Sequence, residues 1–514
     1  MPDTFNPRRR PLLDHRQPQR AAESWRHFVE TPLDQLLARA EAGGDPAQDM
    51  LGLYQRTLAQ VPAYGLFLAE NGIDPATIRT PADLARLPLL TKANYVQRYP
   101  LAELVPGGRL EACDTMALSS GSTGTATFWP RFVTDELAVA VRFEQVFQDS
   151  FAAHERRTLA IICFALGSWV GGLFTLACCR HLSVKGYPLV TLAPGMNKPE
   201  IYRILTELGP AFDQVVLLGY PPYLKDVIDG GPAAGVDWAK LKTRLVIAGE
   251  VFSEEWRSLV GGRLGSTNPR YDIASLYGTA DGGVLANETP LSIHIRRFLA
   301  GHPEIGRELF GEARLPTLAQ YDPYHRYFEA VDGTLVFSAD TTLPLLRYHI
   351  ADSGGVIGYD EMLRFLARHG FDPRAGLAGQ GWRGVRRQPF VYVFGRANFA
   401  VSFFGANVYP ENIAIGLEQA EVAPWTTGKF VLMAREGLGD APALFVAVEL
   451  APGITADSEK ARRIADSILT QLLRLNSEFA NYTPAEYRRP VVELMPAGDP
   501  GWFPTGVKHR YSRR

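Results

Sequence analysis

Seven consecutive small residues, Ser119-Ser120-Gly121-Ser122-Thr123-Gly124-Thr125, have the composition of an anion cradle. Such a stretch cannot pack a core. Glycine admits positive φ and lets backbone approach a ligand closely. Hydroxyls and N–H groups together offer several donors to one phosphate. The same composition suits a surface Ser/Gly linker, and the stretch lacks the G-x-x-x-x-G-K-[ST] pattern of a P-loop. Apolar residues before it, with Trp129 and Phe132 after it, favour a loop held between buried elements. Three more polar turns follow apolar runs: Gly219-Tyr220-Pro221, Gly249-Glu250 and Tyr277-Gly278-Thr279.

The elements that must position these turns alternate in type. Residues 33–71 have helical spacing, and Thr80-Pro81 is a helix start with Thr at N-cap and Pro at N1. Leu87-Pro88-Leu89-Leu90-Thr91-Lys92 reads as a connector, and a helix is expected from about Thr134 to Phe151. From residue 158 strands and helices alternate, with strands expected at 159–164, 187–192, 214–218, 243–248 and 271–276, and helices at 172–180, 199–208 and 253–260 between them. That alternation predicts an α/β fold with a parallel or mixed sheet. Ligands of such sheets bind at the carboxyl ends of the strands, where the polar turns fall. Shorter strands are expected at 327–331 and 334–338. After Phe394-Gly395-Arg396 the pattern changes again, to a hairpin, a helix at 410–419, strands at 429–434 and 443–450, and a helix at 458–475. The expected organisation is a large N-terminal α/β domain (1–395, with a loose arm at 1–25) and a small α+β domain (396–514).

Composition limits the function classes. A chain of 514 residues exceeds one hydrophobic core. A net charge of −2 gives no basis for nucleic-acid binding. The four cysteines form no C-x-x-C pair and no zinc-type cluster, which fits a reducing, cytoplasmic setting. The Arg-rich N-terminus has no secretory h-region. Leu159 to Cys179 carries no charge, but Gly167, Ser168, Gly171 and Gly172 divide it into a buried strand, a turn and a buried helix rather than a membrane span.

Four segments occur in a fixed order: the 119–124 loop, Tyr-Gly-Thr-Ala-Asp at 277–281, Arg-Tyr-His-Ile-Ala-Asp at 347–352, and the stretch from Gly395 through Arg396 to Pro410. A fifth, Thr-Gly-Val-Lys-His-Arg, lies at 505–510. Together they resemble the adenylate-forming enzymes, the superfamily of acyl-CoA synthetases, adenylation domains and luciferases. The connector at 87–92 and Ala-Gly-Glu-Val-Phe-Ser at 248–253 resemble its phenylacetate–CoA ligase branch. The resemblance implies a C-terminal domain that swings between two steps. A carboxylic acid and ATP give an acyl-adenylate and pyrophosphate, and the acyl group then passes to an acceptor such as coenzyme A.

By the same resemblance the loop Ser119, Ser120, Gly121, Ser122, Thr123, Gly124 and Thr125 holds phosphates, with Gly249, Glu250, Gly278 and Thr279 also around the nucleotide. Tyr277 lies against adenine, Asp352 and Arg396 take the ribose side, and Asp281 meets ATP-bound Mg²⁺. Lys508 bridges the attacking carboxylate and the α-phosphate, Asn398 sits at the hinge and Gly405 lines the acceptor channel. Asp352 beside Arg347 also fits a structural ion pair, Lys508 a solvated basic tail, and Tyr277 a core position. Phe164, Trp169, Phe174, Tyr220 and Phe252 are candidate walls for a planar acid, or plain core.

The chain departs from the family pattern at several points. Thr125 and Ala126 stand where Lys-Pro usually follows, so a phosphate-facing cation is missing unless Arg131 replaces it. Asp281 replaces Glu, Ala280 lacks a hydroxyl, Asn398-Phe399 replaces paired acids, and Phe404 replaces Arg. An aryl-acid–CoA ligase is the first expectation. An adenylating enzyme with an amine or carrier-protein acceptor, or one activating nitrite, and a non-catalytic nucleotide binder are the alternatives. A monomer or homodimer is expected.

Overall fold

Each strand at the centre of the sheet is apolar at nearly every position because both of its faces are covered. In a computed structural model describing residues 16–119, 127–312, 314–380, 383–396, 401–404, 406–436, 442–504 and 511, strand Thr158–Ile162 is wholly buried. Leu159 and Ile161 join one core cluster while Ala160 and Ile162 join the other, the two-residue alternation of a pleated strand. Helices Val133–Gln145 and Val170–Val184 supply the first cover. Helices Lys198–Glu207, Pro221–Gly230 and Glu254–Arg263 supply the second.

The strands run in chain order as β1 (Thr115–Leu118), β2 (Phe128–Arg131), β3 (Thr158–Ile162), β4 (Leu189–Leu192), β5 (Gln214–Gly219), β6 (Arg244–Ala248), β7 (Ile273–Thr279), β8 (Gly283–Asn287), β9 (Thr317–Gln320), β10 (Tyr327–Val331), β11 (Thr334–Ala339), β12 (Leu345–Ile357) and β13 (Phe390–Arg396). Among the described residues, eleven of them form one sheet in the order β10-β11-β12-β13-β9-β8-β7-β6-β5-β3-β4. From β4 to β7 neighbours are parallel, and from β7 to β10 they are antiparallel. The expected mixed α/β sheet is present. The parallel and antiparallel parts meet where β8 turns back along β7 (Leu276 opposite Asn287), and β8 pairs with β9 at Asn287 and Gln320. β1 and β2 form a separate antiparallel hairpin whose ends flank the Ser/Gly loop.

Several expected elements keep their place and change in detail. The helix beginning at Val133 runs regularly to Gln145 and continues as a π-turn over Val146–Ser150. The segment opened by Thr80-Pro81 is a 3₁₀ stretch, Pro81–Arg86, closed by the Asp83 carboxylate accepting from the Thr80 N–H at 2.9 Å. The uncharged run from Leu159 divides into β3, a turn at Gly167 (φ 82°) and the helix Val170–Val184. No helix among the described residues is long and apolar enough to cross a membrane.

Residues beyond 400 pack around their own core. Among the described residues, Phe403, Ile413, Phe430, Val446, Ile464 and Phe479 belong to a cluster that takes no member from the large sheet. A hairpin (Val401–Phe403 with Ala406–Val408), helix Pro410–Leu417 and helix Ser458–Leu475 surround a three-stranded sheet of Thr426–Glu436, Pro442–Leu450 and Val491–Met495.

Candidate functional site

The end of β7 gathers most of the described polar groups singled out in the sequence. Leu276 is its last buried residue, Tyr277 is half-buried, and Gly278 is exposed where the strand leaves the core. A Cβ on Gly278 would stand 2.9 Å from the Gly283 carbonyl, so β8 can return this closely only past a glycine. The ring of Tyr277 stacks on Phe328 at 6.4 Å and 21°. Its hydroxyl donates to Asp352 Oδ2 at 2.7 Å. Asp352 lies on β12 beside the backbone of Arg396 on β13. Two residues 75 positions apart in the chain, on β7 and β12, thus meet through one hydrogen bond.

The suggested ion pair between Asp352 and Arg347 does not form. Arg347 pairs instead with Glu329 at 3.2 Å and donates to the carbonyl of Leu87 at 2.6 Å. Arg347 and Ala351 both have positive φ (51° and 60°), and register shifts occur on both sides of β12. Such bulges rotate successive side chains out of strict alternation, so adjacency in sequence does not predict contact here.

Asp281 is 7% exposed. Its Oδ2 accepts from the Tyr348 hydroxyl at 2.6 Å, and its Oδ1 lies 3.4 Å from Lys92 Nζ. Lys92 was not among the residues singled out for chemistry. It arrives because the connector lies beside β12: Leu90 N–H donates to the Arg347 carbonyl (3.1 Å) and His349 N–H donates to the Leu90 carbonyl (2.8 Å). Thr91 then caps a short π-turn by accepting from Asn94 N–H, aiming Lys92 at Asp281. The signal for it was the connector motif itself, which ends in this lysine.

Arg131, considered as a replacement for the missing loop cation, is turned inward. It is 1% exposed, and its Nη2 donates to the carbonyls of Ala280 (2.6 Å) and Asp281 (2.7 Å). Burial lowers its pKa against the pull of Asp135 and Asp281. A guanidinium engaged in this way is not a phosphate-facing group. Lys92, partly exposed, is the cation paired with the Asp281 carboxylate.

Ser119 closes the base of the β1–β2 hairpin: its N–H donates to the Thr127 carbonyl at 3.1 Å, and its hydroxyl accepts from Thr127 N–H at 3.3 Å. Ser120, Gly121, Ser122, Thr123, Gly124 and Thr125 lie outside the described residues, as do Asn398, Gly405 and Lys508. Thr279 stays at the site, its hydroxyl accepting from Gly282 N–H at 3.0 Å and rounding the turn that carries Asp281.

The turns after β3, β5 and β6 bring aromatic groups together. Phe164 and Tyr220 meet edge to face at 4.9 Å. Gly171 presents its bare Cα side to both, and Gly249, at φ 86°, lies under the Tyr220 ring. Trp169 is 41% exposed at the helix start, bridged to Leu118. Phe174 borders a cavity of about 190 Å³ between β1 and its own helix, with Thr115, Glu136 and Arg180. Phe252 packs in the opposite core cluster, against Trp256 at 5.0 Å and under Arg257. Of the aromatics proposed to line a pocket, Phe164, Phe174 and Phe252 are buried in core clusters, and the partly buried Tyr220 is in ring contact with Phe164.

The C-terminal unit touches the same rim. The Tyr511 hydroxyl donates to Glu250 Oε2 at 2.6 Å, and the Tyr511 carbonyl accepts from Leu432 N–H at 2.7 Å. Ser253 Oγ donates to Glu418, and Lys225 donates to the Thr426 carbonyl at 3.0 Å. Burial, with Glu255 nearby, pushes the Glu418 carboxyl up to about 7. Burial also raises the Tyr511 phenol, helped by Glu250.

No group of three or more His, Cys, Asp or Glu residues among the described residues could hold a metal ion. A lone, mostly buried carboxylate suits Mg²⁺ that arrives on phosphates and keeps several waters. It does not suit a resident metal centre.

No family model matches the chain. It is 28% identical over 397 residues to a phenylacetate–coenzyme A ligase of Thermus thermophilus, covering 76% of this chain and 77% of that one. It is 26% identical over 302 residues to another of that name from Aromatoleum evansii, spanning 57% of this chain and 61% of that one. Its fold is similar to a 2-hydroxyisobutyryl-CoA ligase crystallised in the postadenylation state with 2-HIB-AMP, with a TM-score of 0.63 at 15% identity over 91% of this chain and 88% of that one. The same enzyme in an open conformation with 2-HIB-AMP and CoA gives a TM-score of 0.51 at 14% identity, over 91% and 90%.

Proposed function

We infer that this chain, a member of the adenylate-forming superfamily similar to phenylacetate–CoA ligases, is an ATP-dependent, AMP-producing ligase that joins an aromatic carboxylic acid to coenzyme A. The observation that carries this is the convergence at β7: Tyr277 on Asp352, and Asp281 held between Tyr348 and Lys92. One half of that arrangement suits a nucleoside and the other suits its phosphates. The Tyr277 ring offers a face to adenine, and Asp352 accepts two ribose hydroxyls once its bond to Tyr277 is exchanged. Lys92 supplies the charge that the Ser/Gly loop lacks at Thr125.

Activation then needs positioning and charge stabilisation more than covalent help. The acid's carboxylate attacks the α-phosphorus, forming one P–O bond as the bond to pyrophosphate breaks. The CoA thiol, losing its proton, next attacks the acyl carbon and AMP leaves. Lys508 bridges carboxylate and α-phosphate in the first step. Arg396 reaches the ribose side, and Glu250 and Gly249 border the nucleotide near the acid. Tyr220, backed edge to face by the buried Phe164, offers an aromatic wall for a flat, apolar acid beside the turn at Gly249. Residues 396–514 act as the second domain, with Asn398 at its hinge and Gly405 at the acceptor channel. Their separate core supports that division.

The test is pyrophosphate release from ATP and Mg²⁺ with aryl, arylacrylic, short aliphatic and nitrite substrates, each with and without CoA. Release with an aryl acid, and an acyl-CoA product on adding CoA, is expected. Full turnover without CoA would move the acceptor to an amine or carrier thiol. No release with any acid, despite intact ATP binding, would overturn adenylation.

A further inference from the structure

Strand β2 leaves the Ser/Gly loop and carries Trp129 and Arg131 two residues apart. They lie on one face of the strand, and both are buried, at 0% and 1% exposure. Each reaches the turn that bears Asp281, by a different route. Arg131 clamps the main chain, its Nη2 donating to the carbonyls of Ala280 and Asp281 at 2.6 and 2.7 Å. Trp129 acts through a side chain: its ring meets Tyr348 edge-on at 6.4 Å and 88°, and Tyr348 donates to Asp281 Oδ2 at 2.6 Å. Phe337 holds Tyr348 from another side at 5.6 Å and 67°. Tyr348, 1% exposed, has little room to rotate away.

We propose that Trp129, Arg131 and Tyr348 are positioning residues that fasten Asp281 to the hairpin of the Ser/Gly loop, holding one carboxylate oxygen so that the other faces Mg²⁺ on the nucleotide. This rests on the ligase function inferred above. An aspartate reaches one methylene less far than a glutamate, so its value as a ligand depends on where its backbone and Oδ2 are pinned. Arg131 fixes the first and Tyr348 the second. Oδ1 lies 3.4 Å from the partly exposed Lys92 ammonium, which Mg²⁺ on the nucleotide must displace from it or share it with. Arg131 suits the clamp because one guanidinium nitrogen serves two carbonyls at once, which a lysine ammonium on a flexible stem does less well. Since both contacts start from β2, the Asp281 carboxylate is tied to the β1–β2 hairpin before ATP arrives. That preorganisation is the condition for electrostatic stabilisation without reorganisation during reaction.

The experiment compares the full-length protein with Tyr348→Phe and Arg131→Lys. ATP binding is titrated calorimetrically with and without Mg²⁺, beside the Mg²⁺ dependence of pyrophosphate release. Tyr348→Phe is expected to keep Mg²⁺-free ATP binding and the acid KM within twofold, while the Mg²⁺ needed for half-maximal binding and turnover rises at least fivefold. Arg131→Lys should raise it less, and Arg131→Met more. Tyr348→Phe carrying Asp281→Glu should recover part of the Mg²⁺ affinity, which a general packing defect would not allow. An unchanged Mg²⁺ requirement in a folded Tyr348→Phe protein, with a wild type that releases pyrophosphate, overturns the positioning role and leaves the ligase function standing. A wild type that binds ATP and Mg²⁺ but releases no pyrophosphate with any acid overturns both.

Discussion

Replacing Glu418 by Gln tests whether the contact between the C-terminal unit and the 249–253 turn responds to pH. Glu418 accepts from Ser253 and is surrounded by Glu255, Lys225 and Arg296, with Tyr511 and Glu250 beside it. Its carboxyl is raised from 4.5 to about 7, first by burial and then by Glu255, against the opposing effect of Ser253, Lys225 and Arg296. A raised carboxyl pKa means the folded protein binds the proton more tightly than the unfolded chain does. The stabilisation is therefore complete below about pH 4.5, is lost as pH rises toward about 7, and is constant above that. At 1.36 kcal/mol for each tenfold difference in proton affinity, this gap sets a ceiling of about 3 kcal/mol. Partial water access to the carboxyl brings the expected change to ~1–2 kcal/mol. Gln keeps an acceptor for Ser253 and cannot ionise. Urea unfolding of wild type and Glu418→Gln at pH 5, 6, 7 and 8 should show the variant gaining ~1–2 kcal/mol on wild type across that range. A gap constant within about 0.3 kcal/mol would refute the assignment of Glu418 as the titrating group. That flat gap is what a carboxyl held ionised by Lys225 and Arg296 would give, because it would then be ionised in both the folded and the unfolded chain from pH 5 upward.

Three further outcomes follow from the geometry. Gly249→Ala places a Cβ at φ 86° and 2.8 Å from the Tyr220 ring, so it should cost ~1–3 kcal/mol in unfolding free energy and raise the acid KM several-fold by displacing Tyr220. Lys92→Met should raise the KM for MgATP about tenfold in a pyrophosphate assay, while changing stability by less than about 1 kcal/mol because the pair with Asp281 is partly solvated. Lys508→Ala should slow acyl-adenylate formation in single turnover at least ~100-fold with ATP binding retained, and an unchanged rate would remove Lys508 from the chemistry.

The local elements were open to sequence reasoning because local physics produces them. β3, β5 and β6 are apolar runs bounded by turn residues, and each polar turn falls at a strand's carboxyl end. The helix expected at 458–475 forms over Ser458–Leu475, with Asp457 capping it through Lys460 N–H. Five motifs in order were enough to indicate the superfamily.

What the sequence left open was direction and partnership. Arg131 follows a phosphate-type loop, and only packing turns it inward, where two carbonyls take its charge. Arg347 opens the motif that Asp352 closes, yet bulges in β12 send the two side chains to different partners, Glu329 and Tyr277. Lys92 is far from Asp281 in the chain and meets it because a connector docks along β12. Periodicity and turn chemistry act over a few residues, so one sequence determines them alone. Contacts between segments far apart in the chain depend on strand register and bulges, and on which connector docks along which strand. That is a property of the assembled fold, and it decides which charges face the site and which are buried behind it.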